Sequence, residues 1–144
     1  MPAMPTKTIW LYVQRWGPSL LIAVVIFIAS ATPSTELPSF GVADFLVKKG
    51  GHMLGYALLA LSLIRGFGGK QKKLGWIVIG LVVIYACSDE FHQLFVAGRT
   101  SRVTDVLIDT AGGAVGLILW QVFPWIKRLT SYQDGYSGIS NFPI

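Results

Sequence analysis

Residues 74–93 read LGWIVIGLVVIYACSDEFHQ, an apolar run that ends abruptly in acidic and polar residues. The run has no charged side chain from Leu74 to Ser88, and Asp89 follows at once. Roughly 20 residues of α-helix span the hydrocarbon core of a bilayer, and a helix satisfies its own backbone groups there. This stretch therefore predicts a membrane-spanning helix with ionisable groups at one end.

Three other apolar blocks extend this pattern and predict an all-α, polytopic bundle of four transmembrane helices. The first helix is expected from near Thr8 to Ala31. The second is expected from Asp44, as its N-cap, to Ile64, and the fourth from about Val103 to Trp125. Hydrophobic residues make up 53% of the 144 residues and charged residues 13%, which argues against a soluble domain.

The first block allows a second interpretation, a secretory signal peptide. Its basic start and apolar stretch lead to Ala29-Ser30-Ala31, small residues of the kind that precede a cleavage site. We favour a retained helix, because the four-helix topology is balanced only if this helix is kept. Pro18 either kinks the helix or begins it.

Charged residues are divided unevenly between the two sides of this bundle. Six of the seven acids lie in or beside the first and third connections, whereas eight of the twelve cations lie elsewhere. Short loops rich in Lys and Arg stay in the cytoplasm, so both termini and the middle loop are assigned there. This topology explains the pI of about 9.6, and nucleic acid is not needed as a partner. The eight cations are Lys7, Arg15, Arg65, Lys70, Lys72, Lys73, Lys127 and Arg128.

The chain is accordingly divided into a membrane domain, residues 1–129, and a flexible cytoplasmic tail, residues 130–144. Ser, Gly, Asn and Pro dominate the tail, and no hydrophobic periodicity survives there. Cys87, the single cysteine, falls inside the third helix, so the sequence predicts neither a disulfide framework nor a thiolate metal cluster. We interpret it as a small core residue.

Ionisable residues of the last three helices collect at the outer end of the bundle. Such residues are costly in a membrane unless they face the bundle interior and act together. Residues three or four apart share a helix face. The spacings predict three polar faces and, between them, a water-accessible polar pocket. The faces are Lys49, His52 and Tyr56; Asp89, His92 and Gln93; and Asp105, Asp109, Gly112 and Gly116.

Each of these residues also has a purely structural interpretation. Glycines spaced by four commonly let helices pack closely, and Asp105 suits the first turn of a helix. Asp89 and Glu90 would then simply end a helix in water, while the loop arginines would be solvated or bind lipid phosphate. The combination favours a pocket, because a structural account must supply a partner for every buried charge.

The same residues resemble the VanZ-like family, small bacterial membrane proteins named for a protein that contributes to teicoplanin resistance. The family signature places Lys three before a His and Tyr four after it, then an Asp-Glu pair with Gln three after the Glu. An Arg and an Asp six apart and glycines of the closing helix complete it. This chain departs from the pattern at Lys48, where the family usually has an acid, and at Asp109, where it usually has Asn. The matching residues are Lys49, His52, Tyr56, Asp89, Glu90, Gln93, Arg99, Asp105, Gly112 and Gly116.

The resemblance implies a multi-pass protein of the bacterial cytoplasmic (inner) membrane with a link to glycopeptide antibiotic resistance. We expect its outward-facing pocket to bind or modify a cell-envelope lipid or glycan. The expected partners are a membrane lipid, a lipid-linked glycan or a glycopeptide. Candidate catalytic residues are Glu90, Asp89, His52 and Asp105, as general acids and bases. Candidate substrate-binding residues are Lys49, Tyr56, Gln93, Arg99, Asp109 and Arg102, with the cations suited to an anionic headgroup.

Several alternatives stay open from the sequence. No tight metal motif is present, so no metal site is assigned; the alternative is a divalent ion held by the acids and His92. Two alternative functions are a non-catalytic structural or binding protein of the envelope and a small transporter. Transport is disfavoured, because no ionisable residue lies between Met53 and Ile64 or between Leu74 and Ser88. The cofactor and the oligomeric state are not determined by the sequence. The ligands of the alternative ion would be Asp89, Glu90, His92 and Asp105.

Overall fold

A computed structural model describes residues 6–33, 42–69, 73–99 and 101–130, and within them the chain is helical with no strand. The all-α prediction is therefore confirmed for these residues. The predicted tail lies outside them, apart from Thr130 at the end of the last helix. In chain order, the helices are α1 (Thr6–Ala31), α2 (Val42–Gly66), α3 (Leu74–Gln93), α4 (Val103–Val122) and α5 (Pro124–Thr130).

Some helix boundaries differ from those expected. The second helix begins at Val42, so Asp44 lies in its first turn and does not cap it. The fourth helix ends at Val122, because Phe123 is extended (φ −101°, ψ 106°) and Pro124 begins α5. A residue before proline avoids the α conformation, and proline suits the first position of a helix. Pro18 lies inside α1 and does not begin it.

Three of these helices are long and apolar enough to cross a membrane. They are the segment Ile9–Ala31 of α1, all of α3 and all of α4. The remaining long helix, α2, has 25 residues but carries charges at both ends, including Lys48, Lys49 and Arg65. By length and composition, the described residues therefore support three spanning helices.

Glycines bring α4 against α2, on which it packs most extensively. A Cβ atom on Gly116 would lie 2.5 Å from the carbonyl oxygen of Ala57, and one on Gly112 would overlap the backbone of Met53. Real Cβ atoms do not approach so closely, so these glycines allow backbone-to-backbone packing of two parallel helices. The packing role expected for the glycine stripe is thereby confirmed.

The apolar core lies between α2, α3 and α4, with α1 packed across α2. On α3, Val78, Val82 and Ala86 are fully buried at every fourth position. Cys87 is exposed, so its interpretation as a core residue is wrong. It follows Ala86 by one residue, about 100° around the helix, and therefore points away from the core.

The two ends of the bundle differ in chemistry. At one end, the Arg15 guanidinium donates a hydrogen bond to the carbonyl oxygen of Gly66, and Trp16 packs edge-on against Phe67 with centroids 5.0 Å apart. Lys127 lies 5.6 Å from the centre of the Trp120 ring at this same end. The polar residues of α2, α3 and α4 meet at the opposite end. The segregation of charge along the sequence thus reappears as two chemically distinct ends.

Candidate functional site

One histidine and two aspartates from three helices form the centre of the polar end. Each of His52 on α2, Asp89 on α3 and Asp109 on α4 offers a nitrogen or oxygen atom, and these atoms all lie within 4.8 Å of one another. Asp89 is 2% exposed and Asp109 is 1% exposed, while His52 is half-buried. We call these three residues the His-Asp cluster.

Two neighbours hold the Asp89 carboxylate in a fixed orientation. Its Oδ2 atom accepts a hydrogen bond of 2.7 Å from the Ser30 hydroxyl and one of 3.2 Å from Nε2 of Gln93. The other oxygen, Oδ1, is buried and has no hydrogen-bond partner among the described residues. The carboxylate therefore keeps one acceptor atom available in a place from which bulk water is excluded.

The Asp109 carboxylate is arranged in a similar way. Its Oδ1 atom is 3.5 Å from Nδ1 of His52, a separation longer than a good hydrogen bond. Its Oδ2 atom is buried without a hydrogen-bond partner in the described part of the chain. Both aspartates thus combine near-complete burial with an unsatisfied oxygen, which is a costly arrangement for a purely structural residue.

Two tyrosines line the side of the cluster that faces the core. Tyr56 is fully buried, and its ring stacks on His52 with centroids 6.4 Å apart. Its hydroxyl has no hydrogen-bond partner among the described residues and interacts electrostatically with Asp109 and Asp89. Tyr85 packs against Tyr56 at 5.9 Å, and its own hydroxyl donates a 2.5 Å hydrogen bond to the Ala23 carbonyl of α1. Tyr56 is therefore the tyrosine whose polar group is available to the cluster.

An ion pair forms the next layer outward. Lys49 pairs with Asp105, and the two side chains are 28% and 17% exposed. Lys49 precedes His52 by three residues on α2, and Asp105 precedes Asp109 by four on α4, so both pairs use the same helix faces. The ion pair lies between the His-Asp cluster and the end of the bundle.

The side chain of Glu90, on α3, binds the start of α4. Its Oε2 atom accepts a 2.9 Å hydrogen bond from the backbone N–H of Arg102, the N-cap residue of α4. In a capping box, the acid at the third helical position makes this bond. Here that position is Asp105, and Glu90 of α3 substitutes for it, which leaves Asp105 to pair with Lys49.

Arg99 holds the end of α1. Its Nε atom donates to the Thr32 carbonyl at 3.1 Å, and its Nη2 atom donates to the Ala29 carbonyl at 2.9 Å. The last carbonyls of a helix lack partners within the helix, and a cation there also favours the helix dipole. Arg102 has an exposed side chain and contributes its backbone N–H. The structure therefore gives Arg99 a packing role at this site.

The family of the chain can now be stated. A family model described as VanZ/LLP1 matches residues 4–124. The chain belongs to the VanZ/LLP1 family. No curated protein and no solved structure shows a significant match to it.

Membership of the VanZ/LLP1 family confirms the resemblance drawn from the spacing of polar residues. Together with three helices apolar enough to cross a membrane, it identifies a VanZ-like membrane protein. The match includes Ser30, Glu90 and Arg99 as well as the His-Asp cluster, so the whole polar end lies within the family region. The residues proposed from the sequence to catalyse or bind stay predictions as to role.

The structure brings some of the expected residues together and separates others. The pairs Lys49–Asp105 and His52–Asp109 join the expected polar face of α2 to that of α4. On the expected face of α3, Gln93 donates a hydrogen bond to Asp89. The alternative metal site at Asp89, Glu90, His92 and Asp105 is not formed in the described region, where the one histidine-containing ligand group is the His-Asp cluster. His92 instead packs its ring on Phe27, with centroids 4.2 Å apart.

Sequence reasoning missed the contribution of α1 to this site. The sequence presents Ser30 as part of a small-residue cleavage motif, yet it is fully buried and anchors Asp89. Tyr85 lies in the apolar run of α3, and its hydroxyl binds that helix to α1. The available signal is a hydroxyl within a strongly apolar run, which predicts a polar partner on a neighbouring helix.

Proposed function

We propose that this VanZ/LLP1 protein resides in the bacterial cytoplasmic membrane and uses its polar end to bind or modify a cell-envelope lipid or glycan. The observation that supports this proposal is the His-Asp cluster, in which two buried aspartates from separate helices each keep one oxygen without a hydrogen-bond partner among the described residues. A site of this kind suits a ligand that supplies hydroxyl or other polar groups from outside the bundle.

The proposal places four helices across the membrane, with α2 as the fourth. The charges of α2 lie near its two ends, and its residues 53–64 are free of charge. Since α2 packs between α1, α3 and α4, its polar faces are turned toward neighbours. With the Lys- and Arg-rich loops in the cytoplasm, both termini are internal and the His-Asp cluster faces the outside.

The charges at the site indicate which part of the ligand enters it. Lys49 is paired with Asp105, and Arg99 donates hydrogen bonds to two backbone carbonyls, so both side chains already have partners at the site. Arg102 has an exposed side chain at the rim and is the cation best placed for a lipid-linked phosphate. A sugar hydroxyl would then approach His52, the half-buried member of the cluster and the acid or base of any reaction, while the buried Asp89 and Asp109 would act through it.

Paired variants test this function. A strain that lacks its own copy would express the parent protein, Asp89→Asn, or the control His92→Gln, and teicoplanin susceptibility and lipid-linked precursors would be measured. We expect Asp89→Asn to lose the activity of the parent while reaching the membrane in equal amount. Equal phenotypes for Asp89→Asn and the parent, with equal abundance, would reject a functional pocket.

A structural role is the second candidate, and specific contacts favour it. Glu90 and Arg99 bind backbone groups at helix ends, as residues of a packing network do. In that case Asp89→Asn would lower the melting temperature of the purified protein in detergent and reduce its abundance in the membrane. The functional proposal instead requires a loss of phenotype at an unchanged melting temperature.

A further inference from the structure

We propose that His52, Asp89 and Asp109 form a binding site for a divalent transition-metal ion, with Zn²⁺ as the preferred ion. This inference concerns the same site as the proposed function and adds a ligand that the function does not require. It rests on three observations: the donor atoms, their separations, and the hydrogen bonds that hold the Asp89 carboxylate.

The donor set is one imidazole and two carboxylates. Mixed nitrogen and oxygen donors suit Zn²⁺ better than Mg²⁺ or Ca²⁺, which prefer oxygen alone. Both carboxylates are buried, and among the described residues Oδ1 of Asp89 and Oδ2 of Asp109 have no hydrogen-bond partner. A cation bound by both carboxylates would offset the cost of burying them, whereas the 3.5 Å contact of His52 with Oδ1 of Asp109 leaves these two oxygens without a partner.

The separations agree with ligation of one ion. Two ligands bound tetrahedrally at zinc distances of about 2.0–2.1 Å lie about 3.3 Å apart. The His52 Nδ1 and Asp109 Oδ1 atoms are 3.5 Å apart, which is close to that value. The Asp89 oxygen completes a group within 4.8 Å, so ion binding would have to draw the three atoms closer together by side-chain rotation.

The surroundings resemble the outer shell of a metal site. Metal-binding carboxylates are held by hydrogen bonds that fix their orientation. Ser30 and Gln93 both donate to Oδ2 of Asp89, which leaves Oδ1 for the ion. Three protein ligands leave a fourth position for water or a substrate oxygen, the arrangement typical of catalytic zinc sites. The Tyr56 hydroxyl lies beside this cluster as a further polar group.

Metal binding would be measured on the full-length protein, purified in detergent with an affinity tag that contains no histidine. After treatment with a chelator, the protein would be titrated with Zn²⁺, Mn²⁺, Mg²⁺ or Ca²⁺, and bound metal would be counted by elemental analysis. We expect one Zn²⁺ per chain, weaker Mn²⁺ binding, and no stoichiometric Mg²⁺ or Ca²⁺. Co²⁺ would give the visible absorption of a tetrahedral site.

The chain offers a matched control, because it has two histidines and both lie at the polar end. His52→Gln and Asp109→Asn should lower Zn²⁺ affinity at least about tenfold. His92→Gln should bind like the parent. Helical circular dichroism would verify that each variant is folded. An increase in melting temperature with Zn²⁺ is expected for the parent and this control only.

Two results would overturn the proposal. One is the absence of stoichiometric Zn²⁺ in folded parent protein, and the other is equal Zn²⁺ binding by His52→Gln and His92→Gln. Neither result bears on envelope phenotypes, because no lipid or glycan is present in the titration. Conversely, an Asp89→Asn strain with a normal phenotype would reject the proposed function even if Zn²⁺ binds.

Discussion

At Gly112 the backbone of a neighbouring helix occupies the place where a side chain would begin. A Cβ atom there would overlap the Met53 carbonyl, which cannot move without displacing α2. Gly75 and Gly80 on α3 have nothing within 4 Å of the corresponding position. A side chain would therefore clash at Gly112 but not at Gly75 or Gly80, and single substitutions can measure this difference.

Replacement of Gly112 by Ala should destabilise the protein. Forcing extra atoms into a packed interface costs about 1–3 kcal/mol, and a loss of melting temperature in detergent would report it. Gly80→Ala is the matched control, since alanine favours a helix over glycine by about 0.5–1 kcal/mol and meets no neighbour. Equal melting temperatures for the two variants would contradict the close approach of α4 to α2.

At this scale the sequence predicts which side chains share a helix face but not which residues meet across helices. The spacing placed Lys49 with His52 and Asp105 with Asp109, and the structure agrees. Pairing is a tertiary property, so nothing local reveals that Asp109 is the partner of His52. The buried state of Ser30 is likewise decided by α3, which is distant in the sequence.

A single carboxylate, that of Glu90, stabilises the first turn of α4. Glu90→Ala leaves the Arg102 N–H without its acceptor and should lower the free energy of unfolding by about 1–3 kcal/mol. Glu90→Gln keeps an acceptor oxygen and should lose less. Thermal or denaturant unfolding in detergent would measure both. A Gln variant as unstable as the Ala variant would show that the charge matters more than the hydrogen bond.

Among the elements, α1 makes contacts that a cleaved leader would not need. Its Ser30 anchors Asp89, its Ala23 carbonyl accepts from Tyr85, and its terminal carbonyls bind Arg99. These contacts join α1 to α3 and to the loop before α4. They support the interpretation of this segment as a permanent helix of the bundle.

The purified protein should therefore contain α1. Intact mass spectrometry of protein extracted from membranes should give a mass that includes residues 6–31, and an epitope fused to the N-terminus should remain in the membrane fraction. A product that begins at Thr32 would contradict this expectation and support signal cleavage after Ala31. Ser30→Ala provides a companion variant, which should weaken the support of Asp89 without changing the residue at which the chain begins.

For the whole molecule, the segregation of charge leads to a prediction of orientation. In a Cys87→Ser background, single cysteines would replace Ala97, in the connection between α3 and α4, or Lys73, before α3. Both positions are exposed. A membrane-impermeant maleimide should label the residue at position 97 in intact cells and the residue at position 73 only after the membrane is broken. The reverse labelling pattern would show that the bundle has the opposite orientation in the membrane.

The architecture was predictable to the extent that it follows from local composition. Apolar length identified the helices, and Pro124 explains why α4 stopped before Trp125. The exposure of Cys87 was not predictable from hydropathy, because lipid-facing and core-facing positions of an apolar helix have similar composition. Length and composition do not identify α2 as a spanning helix, because they do not show which way its charged faces point.

The parallel packing of α2 on α4 sets the register between them. Lys49–Asp105 and His52–Asp109 form two polar side-chain contacts, and Met53–Gly112 and Ala57–Gly116 form two backbone contacts below them. A single residue inserted between Asp109 and Gly112 would rotate one set about 100° from the other. The side-chain and backbone contacts could then no longer form together, so the spacing within α4 is as much a part of the site as its side chains.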